Sequence, residues 1–291
     1  MGSDVHVQAF GDRPTDVADV GEHLGELEQC WSRFRSTSDL CRLNRDDRPV
    51  VEVSPLLAAA LHRSRVGWEM TDGRFDPTVH DSLGAAGYRH PYSASLGRRG
   101  DLSHCGPAPG MAEVSIDLER NLVERPVGLR FDLGGIGKGL AADMIATRLV
   151  ERGAVGVCIG MGGDVRVAGV SPPGGWRVPV EDPHRAGPGR TGSIWFEATL
   201  HDGAIVTSTR LFRVWTTEAG EPAHHLIDPA TGTPSVRDVD AVIVAAPEAW
   251  WAEVLAKAAL IGGSVEGRAL LERHDVVAWI VPCARSVRAA T

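Results

Sequence analysis

Two stretches of the chain gather residue types that can do chemistry. The first is FDLGGIGKGLAADMIA, Phe131 to Ala146, in which four glycines and Lys138 lie between Asp132 and a helical run. A helix start offers unpaired N–H groups and the positive end of a dipole, which suits an anion. Glycines let that backbone approach a ligand closely, and a lysine adds a movable cation. The spacing is neither of the two familiar phosphate loops. A Walker A loop would need Gly and Ser or Thr where Asp132 and Gly139 stand, and Gly135, Gly137 and Gly139 give GxGxG rather than the dinucleotide GxGxxG. The same glycines also fit a purely structural role, tight packing of helix on sheet. Asp132 would repel a plain phosphate, and is better suited to a sugar or flavin donor or to a place near a metal.

The second stretch is HHLIDPATGTP, in which His224, His225, Leu226, Ile227 and Asp228 run into a turn broken by Pro229, Gly232 and Pro234. A histidine beside an aspartate at a strand-to-turn edge can take a proton near neutral pH. Either histidine alone also reads as a satisfied structural residue. HEXXH is absent, so the pair is no zinc-protease signal.

The elements that must position these residues follow from periodicity. Asp16 to Arg35 reads as an amphipathic helix with Val20, Leu24, Leu27 and Trp31 on one side, followed by a polar turn, RSTSD. Ser54 caps a second helix, Pro55 to Met70. Gly84 to Met111 is rich in Gly, Pro, Ser and Arg and reads as a long surface loop. Short strands are expected at Val114–Asp117 and Val127–Phe131. The helix after the glycine loop should stop at Gly153. Strands follow around Val155–Ile159, which runs into the turn MGGD, then Trp176–Val180, Phe196–Leu200, Ala204–Val206 and Val239–Val244. A helix from Pro247 to Gly262 and a strand at Val276–Val281 close the chain. Strands and helices interleave without a regular βαβ rhythm, so the expected class is α+β: a single domain over residues 1–291, with a mixed sheet and flanking helices.

With 43% apolar residues the chain can bury a sizeable core, and its formal charge of −8 argues against a nucleic-acid binder. No apolar run is long enough to span a bilayer. MGSDVHVQAF lacks the features of a signal peptide, and His6 stands where a myristoylation signal needs Ser or Thr, so the expected address is the cytoplasm. The five cysteines are scattered without a CxxC pair, which suits buried or half-buried thiols in a reducing compartment.

Several motifs together carry a resemblance. DLGGIGKGLAAD, MGGDVRVAG, VEDP, AIVTS and HHLIDPATGTP occur in the order seen in the ApbE family of flavin transferases. Upstream, MGS resembles the family's MGT, WSRFRSTSDLCRLN its SxFRxxSExxRLN, and DGRFDPTV its GxFDPTV. Downstream, AAPEAWWAEVLAKAALIGG resembles APxAxxADALATALxxLG. The likeness runs from Met1 to about Gly263. It implies transfer of FMN from FAD to a Ser or Thr hydroxyl of an acceptor protein, with release of AMP and with magnesium at the pyrophosphate. It implies FAD contacts from Met1, Phe34, Arg74, Phe75, Asp76, Asp132, Lys138 and Leu226, and a metal-ligating carbonyl at Gly135. It implies His225 as the base that takes the acceptor's proton, with Asp228 supporting the turn or orienting that histidine. The family's second metal patch, an Asp followed four residues later by a Thr, is here Glu253 and Lys257. Lysine cannot ligate while protonated, so Lys257 is expected to weaken or replace the metal, unless the two form an ordinary surface i,i+4 pair. Two other readings stand beside the transferase: an FAD-binding or FAD-hydrolysing paralogue without an acceptor, and a flavin carrier without catalysis.

Overall fold

The computed structural model describes residues 4–11, 17–91, 100–186 and 192–284. In chain order its first half contains β1 (Val5–Phe10), α1 (Val17–Trp31), α2 (Asp39–Arg45), β2 (Val50–Glu52), α3 (Pro55–Met70), α4 (His80–Ala85), β3 (Ser115–Asp117), β4 (Leu122–Glu124) and α5 (Gly137–Glu151). Then come β5 (Gly156–Met161), β6 (Asp164–Gly169), β7 (Trp176–Glu181), β8 (Ile194–Leu200), β9 (Gly203–Thr209), β10 (Val214–Thr216) and β11 (Pro222–His224). The chain continues through β12 (Ile227–Asp228), β13 (Thr233–Pro234), β14 (Val239–Ala246), α6 (Ala249–Arg273) and β15 (Val277–Pro282). The described residues within 24–137 and 213–236 form one compact unit, and those within 4–23, 138–212 and 237–284 form another.

The second unit is built on a six-stranded sheet of order β1-β5-β6-β9-β14-β15. The class is α+β as expected, but the sheet expected to be mixed is antiparallel at every neighbouring pair. Its tightest return is the β5–β6 hairpin, where Gly162 and Gly163 both take positive φ between Met161 and Asp164. Only such a primed turn matches the strand twist in a two-residue loop, and glycine adopts it without strain. The antiparallel ribbon β7–β8 supplies Val178, Val180, Phe196, Ala198 and Leu200 to a core with Ile205, Ala241, Ile243 and Val281. Side-chain alternation sends Val242 and Val244 of β14 to its other face, and α6 packs along β9 and β14.

Helices α5 and α6 meet closely within this unit. A Cβ on Gly139 would lie 2.4 Å from the carbonyl oxygen of Ala249, so only glycine fits. Four residues on, the Asp143 carboxylate accepts from the N–H groups of Ala249 and Trp250 at 3.0 and 2.9 Å. It caps α6 from another helix, because Glu248 at the cap position gives no side-chain bond. The expected helix end at Gly262 marks a real break, since Gly263 has φ 81, but helix continues beyond it to Arg273. Asp238 accepts from the Ser264 N–H at 2.9 Å and restarts it.

The first unit carries the three-stranded sheet β2-β4-β3, helices α2, α3 and α4, and the ribbons β10–β11 and β12–β13. Helix α3 has the expected span, with Ser54 accepting from the Leu57 N–H. The strand expected at Val127–Phe131 is not formed. Pro126 accepts from the Leu129 N–H across a turn in which Gly128 has φ 83, and the strand lies earlier, at β4. Of the loop expected at Gly84–Met111, residues 92–99 lie outside the described residues. The following stretch is not all surface: Met111 is fully buried and Leu102 and Cys105 pack on a cluster of Leu83, Ala86, Tyr88 and Ile227.

Helix α2 was not expected, because RSTSD masks its start. Ser38 accepts from the Cys41 N–H as its N-cap. Arg125, itself buried, donates to the carbonyls of Leu43 and Asp46 at its other end, at 2.7 and 2.6 Å. Asn44 then accepts from the Phe131 N–H at 2.9 Å and donates to the Phe131 carbonyl at 2.8 Å, copying a strand partner for the segment that leads into Asp132. Both Phe131 groups are buried, so Asn44→Ala should cost roughly 2–4 kcal/mol of stability in urea denaturation, where an ordinary exposed Asn→Ala change moves it by less than about 0.5 kcal/mol.

Candidate active site

In the first unit the site is built outward from Asp132. Its Oδ1 accepts from the Gly134 N–H at 2.8 Å and its Oδ2 meets Arg33 Nε at 2.7 Å. The buried carboxylate therefore shapes the turn before α5 and anchors a guanidinium. Arg33 also donates to the Tyr88 carbonyl at 2.5 Å, and its Cζ lies 4.3 Å from the ring centroid of Phe34 and 4.6 Å from that of Tyr88. Such stacking suits a planar cation held by a carboxylate. Phe34 and Tyr88 meet edge to face at 5.7 Å, and Tyr88 stacks on Trp215 at 5.7 Å. His225 reaches the same cluster, 6.5 Å from Tyr88. Phe34 is exposed, so it presents an aromatic surface held from behind.

The two histidines are not equivalent. His224 Nδ1 accepts from the Leu226 N–H at 3.2 Å, which leaves Nε2 to donate to the Ser235 carbonyl at 2.9 Å. That ring fixes the β11–β12 corner in one tautomer. His225 is half-buried beside Tyr88. Asp228 Oδ1 accepts from the Ala230 N–H at 3.0 Å and its carbonyl from the Gly232 N–H at 2.8 Å, so it builds the PATG turn. Leu226 is buried.

Arg74, Phe75 and Asp76 share one turn. Phe75 is buried, and its N–H donates to the Thr71 hydroxyl at 3.0 Å. Asp76 accepts from the Thr78 N–H and hydroxyl at 2.7 and 2.6 Å, while burial pushes its carboxyl up. Arg74 lies 3.9 Å from Asp72. Gly135 sits in the turn that opens α5, and Met1 lies outside the described residues.

The second unit brings Lys138, Glu253 and Lys257 together with Asp164, whose place in the MGGD turn drew no role from the sequence. Lys138 pairs with Asp164 and lies 3.4 Å from Glu253 Oε1, and Lys257 donates to the same Oε1 at 2.8 Å. Glu253 Oε2 accepts from the Gly139 N–H at 2.8 Å, so the start of α5 already holds an anion, a side chain of α6. Asp164 Oδ1 accepts from the Thr207 N–H at 3.1 Å. Glu253 and Lys257 are thus a buried pair, not a surface one. Burial opposes the charged form of Glu253, but Lys138 and Lys257 outweigh it and hold the carboxyl down to about 2. Burial pushes Asp164 up, against Lys138, and pushes Lys257 down, against Glu253.

Among the described residues, no three His, Cys, Asp or Glu side chains are grouped to hold a metal ion. The oxygens of Asp164 and Glu253 that a divalent ion would use already face ammonium groups or backbone N–H donors. The set as it stands does not fit the ion. Breaking one partner of a buried pair strands the others, so Glu253→Gln should cost about 3–5 kcal/mol in denaturant unfolding. Glu253→Gln with Lys257→Met should recover part of that loss. The Glu253 contribution is present above its ordinary value of 4.5 and is lost as pH falls toward about 2, so the single variant should also show a flatter acid limb.

The ApbE family model matches residues 1–281. The chain is 28% identical over 300 residues to the FAD:protein FMN transferase of Treponema pallidum, covering 95% of this chain and 81% of that protein. It is 26% identical over 278 residues to the protein of the same name from Vibrio cholerae, covering 92% of this chain and 79% of that one. The solved ApbE protein of Thermotoga maritima superposes with a TM-score of 0.80 at 26% identity, over 97% of this chain and 91% of that chain. The match over nearly the whole length, in sequence and in fold, places the chain in the ApbE family.

Proposed function

We propose that this protein is an FAD:protein FMN transferase. It moves FMN from FAD to a Ser or Thr hydroxyl of an acceptor protein and releases AMP. The observation that carries the reading is the contrast between the histidines: His224 is fixed as a corner-forming ring, while His225 stands beside the Phe34–Tyr88–Trp215 aromatic cluster. Membership of the family and the name its relatives carry supply the reaction class.

In this reading the acceptor hydroxyl oxygen attacks the FMN-side phosphorus. A new P–O bond forms, the bond to the bridging oxygen breaks, and AMP leaves with that oxygen. His225 takes the hydroxyl proton, which ends on AMP or in water. Phe34 offers its exposed face to the flavin ring. Arg33, held by Asp132, keeps that face in place, and Asp228 holds the turn that carries His225. Arg74, Phe75, Asp76 and Leu226 form the walls and turns around FAD. Lys138 addresses the diphosphate, where negative charge gathers as the bond breaks. The five free thiols suit a cytoplasmic address. Among the described residues no helix is long and apolar enough to cross a membrane.

Incubation with FAD, with and without a candidate acceptor domain, and chromatography of AMP and FMN test the reading. AMP that appears only with acceptor, matched by flavin bound to the acceptor, supports it. AMP with free FMN in the absence of acceptor would instead identify a hydrolase. His225→Ala should lower transfer by about 10²–10⁴-fold while FAD affinity stays within severalfold. His224→Ala should show its effect first in thermal stability. Equal loss of transfer in the two variants, with equal stability, would remove His225 as the base.

A further inference from the structure

The cluster in the second unit differs from a metal site in that its carboxylate oxygens are already partnered. Two carboxylates, Asp164 and Glu253, face two ammonium groups, Lys138 and Lys257. All four carboxylate oxygens have protein partners: Lys138 and the Thr207 N–H on Asp164, and Lys257, Lys138 and the Gly139 N–H on Glu253. Magnesium binds at about 2.0–2.1 Å to hard oxygens in near-octahedral order. Here it would have to expel an ammonium from Glu253, or add two charges beside it in a buried place where like charges repel strongly.

The cluster is layered. The carboxylates are the inner layer, with side chains 2% exposed for Asp164 and 0% for Glu253, whereas Lys138 is 19% and Lys257 12% exposed. An approaching anion therefore meets the ammonium groups first.

We propose that Lys138 and Lys257, backed by Asp164 and Glu253, form a built-in cationic seat for the diphosphate of FAD that takes the place of a bound divalent metal in this protein. The inference rests on the transferase reading for the identity of the ligand. Asp164 and Glu253 are positioning residues: their carboxylates hold the two ammonium groups in place, Lys138 on Asp164 and Lys257 on Glu253. Lys257 does the work that a metal ion would otherwise do, without an exchangeable cofactor.

The test uses the full chain. FAD affinity is measured by flavin fluorescence in magnesium chloride and in EDTA, and Mn²⁺ uptake is followed by electron paramagnetic resonance with and without FAD. For the wild type we expect FAD affinity to change by less than about threefold between the two buffers, with no saturable Mn²⁺ signal. For Lys257→Thr we expect FAD affinity in EDTA to fall by about tenfold or more, with partial rescue by magnesium and a saturable Mn²⁺ signal. FAD binding by the wild type that needs magnesium, or stoichiometric Mn²⁺ uptake by it, overturns the inference and leaves the transferase reading standing. No FAD binding in either buffer overturns both. The wild-type measurements decide the matter even if the Lys257→Thr chain does not fold.

Discussion

The second unit depends on how it keeps the charge of Glu253 inside. A carboxylate removed from water must be matched locally or it will take a proton. Glu253 is matched by Lys257 one turn along α6, by Lys138 and by the Gly139 N–H. That last bond requires α5 and α6 to come close, which in turn requires glycine at position 139. Asp143 caps α6 at the same approach, and Arg166 holds Asp143 at 2.9 Å. The glycine loop, the helix pair and the charge cluster are one solution to one electrostatic problem.

The first unit solves a related problem with Asp132. Its charge is spent on a turn and on Arg33, and Arg33 spreads that constraint into the aromatic cluster. Asn44 fixes the segment leading into Asp132, and Arg125 fixes the helix that carries Asn44. The exposed aromatic face of Phe34 thus rests on buried polar bonds rather than on apolar packing alone. In the proposed reading, that support would hold a flavin ring in one orientation beside His225.

Much of this was legible in the sequence, for identifiable reasons. Helix α3 announced itself because Ser54 and Pro55 are strong local signals. The buried strands β5, β7 and β14 showed in their apolar alternation. Strand β1 is a short edge segment with polar residues between its apolar ones, and Val127–Phe131 misleads because Val127, Leu129 and Phe131 alternate as a strand would and outweigh the turn made by Pro126 and Gly128. In sequence the glycine loop suits either a ligand or close packing. Gly139 turned out to serve packing, and a glutamate far along the chain occupies its N–H. Asp164, Arg33 and Asn44 were missed for one reason. Their partners lie 26, 99 and 87 residues away, for Lys138, Asp132 and Phe131 in turn, and no local pattern encodes such pairs.

The central claim is that this chain carries its own counter-charge for a diphosphate. The most direct measurement is a crystal structure of the FAD complex grown with manganese, with anomalous scattering collected at the metal edge. The account predicts the FAD diphosphate within hydrogen-bonding distance of Lys138 and Lys257, Lys257 still on Glu253, and no anomalous peak at Glu253 or Asp164. A manganese peak ligated by Glu253, with Lys257 turned away, would contradict it.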